Sequence, residues 1–100
     1  MKMIYITAKI SMLPQIREIL DNFDINSYQV IERAWSKSPQ GDKRFDDPVW
    51  PGYNAILFVQ TDESQCQKVD SKIKLLNENA HNENEFITWA EWSLEKFTTS

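Results

Sequence analysis

The chain has 100 residues, of which 41% are apolar and 26% charged, with a net charge of −4 at pH 7. One core is all that such a length holds, and an aromatic content of 12% excludes a disordered chain. The acidic balance excludes the usual nucleic-acid and anionic-membrane binders, which work through an excess of Lys and Arg.

Residues 3–8 (MIYITA) are β-branched and aromatic and predict a first strand. Leu13, Ile16, Ile19, Leu20 and Phe23 follow at helical spacing. Ser11 is expected as the N-cap and Pro14 in the first turn, where its missing N–H costs nothing. Asn22, Asp24 and Asn26 break the period, and residues 27–35 predict a second strand, partly polar on each face. Residues 53–60 (YNAILFVQ) are the clearest strand of the chain. Asp62 is expected to cap a second helix, with Gln65 at the capping-box position. Cys66, Val69, Ile73, Leu76 and Ala80 mark that helix's apolar face. Residues 85–94 (EFITWAEWSL) predict a fourth strand. The order βαββαβ predicts a single α+β, ferredoxin-like domain over residues 1–100: a four-stranded antiparallel sheet with two helices on one face.

Both faces of that sheet look apolar. Ile56 and Phe58 alternate with Tyr53, Ala55, Leu57 and Val59, while Ile87 and Trp89 alternate with Phe86, Ala90 and Trp92. Two helices cover one face only, and an antiparallel sheet solvated on the other should be polar there. The uncovered face is therefore expected to be a subunit interface, with a folded-back carboxy-terminal tail as the alternative. Residues such as Tyr53, Ala55 and Leu57, or their opposite-face neighbours, would lie between subunits.

The connection from Ser36 to Gly52 holds both glycines and three of the four prolines. Connections longer than about 12–15 residues in compact domains are usually functional or disordered. Lys37, Lys43 and Arg44 alternate there with Asp42, Asp46 and Asp47, punctuated by Trp35, Phe45 and Trp50. Asn54, at the start of an otherwise apolar strand, is expected to hold the loop base by hydrogen bonds to backbone.

Missing residues exclude several chemistries. A single cysteine rules out an intrachain disulfide and a multi-Cys zinc site, and two glycines rule out dinucleotide and phosphate-loop fingerprints. Strand three lacks the basic and glycine residues of an RNA-recognition motif. No apolar run approaches the roughly 20 residues of a membrane span, and the short run after Lys2 makes no signal peptide, so a cytoplasmic address is expected. His81 reads as an exposed residue near a helix end, Cys66 as a small buried hydrophobe, and Asp46-Asp47 as a solvated pair before a metal site.

At Trp50-Pro51-Gly52-Tyr53-Asn54 the chain resembles a divergent branch of the PII-like signal-transduction proteins. The resemblance implies homotrimers whose sheets pack inward, with residues 36–52 in the place of the T-loop that reports small-ligand binding to a protein target. Trp35, Lys37, Trp50, Gly52 and Asn54 would form the base of an intersubunit ligand cleft, and Lys43 and Arg44 its tip. Two departures stand out. The Gly-Asp-Gly-Lys-like run that the family carries before the last strand is replaced by Asn82-Glu83-Asn84-Glu85, with neither glycine nor lysine, which argues against adenine-nucleotide binding of the usual kind, and the loop carries no tyrosine for modification. The ligand itself is left open. No catalytic residue is expected; the alternatives are a dimeric α/β-barrel monooxygenase-like enzyme and a divalent-cation-tolerance-type metal-binding trimer.

Overall fold

The computed structural model describes residues 1–37, 43–48, 52–80 and 86–98. Its elements are β1 (Lys2–Lys9), a 3-10 turn (Ile10–Met12), α1 (Leu13–Asn22), β2 (Tyr28–Ala34), β3 (Asn54–Thr61), α2 (Glu63–Glu78) and β4 (Thr88–Ser93). The strands lie in the order β2-β3-β1-β4 and every neighbouring pair is antiparallel, as the βαββαβ pattern predicts for a ferredoxin-like sheet.

Side-chain alternation decides which face the helices take. Ile4, Ile6 and Ala8 of β1 stand opposite Val59, Leu57 and Ala55 of β3, and all six are buried. The apolar stripes of α1 (Leu13, Ile16, Leu20) and α2 (Cys66, Val69, Ile73) close over them. Ala55 and Leu57 are thus core residues, so a contact between subunits falls to their neighbours on the opposite face.

Local chemistry sets the helix ends. Pro14 lies in the first turn of α1, but Ser11 sits in the 3-10 turn and its hydroxyl caps nothing. The backbone anchors that turn, with Ile10 N–H donating to the Tyr53 carbonyl at 3.1 Å. Asp62 caps α2 by accepting from the Gln65 N–H at 2.8 Å. The Gln65 side chain does not return to the cap. Its amide donates to the Phe23 carbonyl at 3.1 Å and its carbonyl accepts from the Thr61 hydroxyl at 2.6 Å, tying the end of α1 to the start of α2.

The second face of the sheet carries Met3, Tyr5, Ile31, Ile56, Phe58, Ala90 and Trp92, in register across all four strands. Tyr5 and Phe58 pack ring to ring at 5.7 Å. Neither described helix lies over them. The chain end bonds back through Leu94 N–H to the Met1 carbonyl, but Ile31 and Trp92 stay 50% and 44% exposed, so the described tail does not cover this face. At one end of the face Gln60 is buried in a polar knot. It accepts from the Ser27 hydroxyl at 2.9 Å and donates to the Gln29 carbonyl at 3.0 Å and to Met3 Sδ at 3.2 Å. Among the described residues, no helix is long and apolar enough to cross a membrane.

Candidate functional site at the base of the 36–52 connection

The end of the sheet opposite Gln60 is where β2 and β3 part. A bulge precedes it: between the pairs Ile31–Ile56 and Ala34–Asn54, Glu32 and Arg33 stand opposite the single residue Ala55. Such bulges re-aim side chains at the ends of strands. Beyond the bulge the connection is clamped twice. Ser36 and Arg44 exchange backbone bonds of 2.8 and 2.7 Å, and Asp46 N–H donates to the Gly52 carbonyl at 2.9 Å. Asp46 and Gly52 make the tight path with positive φ, 55° and 91°.

Side chains converge on this clamp. The Arg33 guanidinium lies 4.4 Å above the Tyr53 ring and 3.5 Å from the Asp46 carboxylate. Trp35 meets Phe45 with ring centroids 6.1 Å apart, yet remains 74% exposed, so one indole surface faces solvent. Arg44 donates from Nη1 to Asn54 Oδ1 at 2.8 Å, and Asn54 Nδ2 donates to Thr7 Oγ1 at 3.3 Å. Asn54 is only 4% exposed, which makes those bonds costly to lose.

Trp35, Arg44, Gly52 and Asn54 of the expected set are therefore brought together, with exposed Lys37 and half-buried Lys43 beside the Ser36–Arg44 rung. Trp50 lies outside the described residues, as does His81. Two expectations need correction. Arg44 is not at the loop tip; its backbone pairing with Ser36 pulls it back onto the sheet. Asn54 bonds to side chains, because the strand's own ladder already takes the nearby backbone groups. Gly52 takes a φ of 91°, and a Cβ there would meet nothing within 4 Å, so it is the backbone conformation and not lack of space within the chain that suits glycine. Arg33, Phe45, Tyr53 and Thr7 join the site without having been singled out as site residues. The spacing Arg33-x-Trp35 just before the connection was a usable signal for the first.

Elsewhere the chemistry is quieter. Cys66 donates its thiol proton to Glu91 Oε2 at 2.6 Å; burial first, then this bond, pushes its pKa up to about 12. It stays a protonated core thiol. A groove of about 500 Å³ between α1 and α2 is walled by Ile19, Phe23, Leu75 and Leu76. Among the described residues no group of three or more His, Cys, Asp or Glu is gathered to hold a metal.

No protein-family model matches the chain, and no curated protein matches its sequence. Solved structures match its fold. A PII-like signalling protein from Thermus thermophilus superposes with a TM-score of 0.65 at 13% identity, over 91% of this chain and 83% of that one. CPII from Thiomonas intermedia K12, a nitrogen regulatory PII-like protein, does so in its complex with ADP and bicarbonate with a TM-score of 0.70 at 9% identity, covering 95% and 88%. Its apo form gives 0.60 at 9% identity, covering 91% and 87%. The chain has the fold of the PII-like proteins.

Proposed function

We propose that this chain is a non-enzymatic PII-like regulator that binds a small anionic ligand at the base of the 36–52 connection and signals through that connection. The observation that carries the reading is the convergence of Arg33, Arg44, Trp35 and Asn54 on one doubly clamped loop base at the end of the sheet. Guanidinium groups suit carboxylate, bicarbonate or phosphate oxygens, and the exposed indole suits a flat partner. CPII, a fold neighbour, has been solved bound to ADP and bicarbonate, which makes these the first compounds to try. In this reading the open apolar face packs against further copies in a homotrimer, the ligand lies in the clefts between subunits, and Trp50 and Lys37 complete its contacts. A protein target would meet the connection itself. Cytoplasmic action fits the same picture.

Calorimetry and thermal shift with ADP, AMP, bicarbonate, small carboxylates and divalent ions test the site, on wild type, Trp50→Ala and Asn54→Ala. Binding that weakens at least about 5-fold in both variants is expected, since each loses a contact or a bond of about 1 kcal/mol or more. Hits insensitive to both substitutions misplace the site, and a clean dimer in light scattering returns the monooxygenase-like alternative.

A further inference from the structure

Asn54 occupies a corner shared by two regions with different tasks. It is the first residue of β3, and its side chain lies on the same sheet face as Tyr5, Thr7, Ile56 and Phe58. Both ends of its amide are committed: the carbonyl to Arg44 of the loop base, the NH₂ to Thr7 of β1, the other central strand. Thr7 in turn stands between Ile56 of β3 and Thr88 of β4, within the open face. Loop base and open face thus meet through one buried amide.

A buried amide of this kind cannot follow one partner without straining or losing the other. If Arg44 swings toward an anion, Asn54 must either go with it and release Thr7, or stay and leave its carbonyl unpaired, and a buried polar atom without a partner is costly. The position of Arg44 and the arrangement of the open face are therefore a linked pair.

We infer that Asn54 couples ligand binding at the loop base to subunit packing across the open sheet face, so that an anion that draws Arg44 away loosens the assembly and the assembly in turn lowers affinity for the anion. The inference rests on the proposed ligand site and trimer. Reciprocity follows from linkage: whatever factor the ligand contributes to assembly, assembly returns to the ligand. The Asn54–Thr7 bond carries the effect, because it is the described side-chain bond that joins the loop-base pair to β1.

The test is subunit exchange between two populations of the full chain labelled at their amino termini with donor and acceptor dyes. It is followed with no addition, with bicarbonate, and with ADP plus bicarbonate, after calorimetry on the same samples. In wild type the bound probe is expected to speed exchange about 10-fold, within the usual range of coupling between sites. Thr7→Val, which keeps the shape and removes the acceptor, should leave less than about a 2-fold effect of bound probe, and Thr7→Ser should restore it. Thr7→Ala replaces Thr7→Val if the valine fails to fold. Speeding in Thr7→Val equal to wild type overturns the inference. Probe that binds wild type without changing exchange also overturns it, while leaving the ligand site standing. Absence of any binding, or of any oligomer, removes the proposed site or assembly and the coupling with it.

Discussion

The two faces of the sheet are apolar to a similar degree and finished in opposite ways. Under the helices the side chains are aliphatic: Ile4, Ile6, Ala8, Ala55, Leu57 and Val59. On the other face aromatic and sulfur-bearing side chains, Met3, Tyr5, Phe58 and Trp92, join the aliphatic Ile31, Ile56 and Ala90. The open face is also bracketed by polar groups, the Gln60 knot at one end and the Asn54–Thr7 pair at the other. Aliphatic residues fill a closed interior, whereas aromatics and Met are the residues enriched where protein surfaces meet. Apolar content alone, then, does not tell the two faces apart; side-chain type and polar edging do.

The most severe challenge to this contrast is Leu57→Ala. Loss of a fully buried aliphatic side chain should cost about 2–5 kcal/mol in urea unfolding. Phe58→Asp, one residue along, should leave the far-ultraviolet circular dichroism intact but weaken assembly at least about 100-fold in sedimentation velocity, as a buried unpaired charge at a contact would. Equal damage to the fold from both substitutions would erase the distinction between the faces.

Gly52→Ala probes the edge where the open face meets the loop. Its φ of 91° suits glycine, so a Cβ should cost roughly 1–2 kcal/mol even though nothing crowds it. A neutral result in thermal melts would mean that the Asp46–Gly52 clamp has little bearing on stability. The closed face has its own, narrower signature in alkali. A thiol held near pKa 12 in the fold keeps its proton more tightly there than in the unfolded chain, where the ordinary value is 9.0. Its contribution to stability is therefore complete below about pH 9 and is lost as pH rises toward 12. Wild type should lose more stability than Cys66→Ala across that window, and parallel losses would place Cys66 outside the closed layer's electrostatics.

Most of the architecture could be read from periodicity. The stripes of Leu13, Ile16 and Leu20 and of Cys66, Val69 and Ile73 mark helix faces because burial at helical spacing has few other causes. The two apolar sheet faces were legible as well, but alternation is symmetric and cannot say which face the helices choose. Asp62 was legible as a cap because its bond is local, three residues along the chain. Ser11 misled because a 3-10 turn took the place of the cap. The site was harder. That Trp35, Gly52 and Asn54 lie together follows from strand ends meeting. Arg44 could not be placed, since its position depends on the Ser36–Arg44 pairing across a connection with no periodic signal. Arg33 stacks on Tyr53 next to a bulge that shifts the register by one residue, and register is what sequence patterns carry least.

The clamp at Ser36–Arg44 also makes the length of the connection an independent variable. Because its exit and return points are joined by two backbone bonds, residues added or removed between them alter only the entropy of closing the loop. That cost grows slowly, by about 0.6 kcal/mol for each doubling of length. Arg44, Asn54 and Thr7 would keep their places while the stretch between Ser36 and Arg44 changed in length and composition. Under the proposed function, target specificity could then be retuned by insertion and deletion in that segment without touching the residues proposed to hold the ligand.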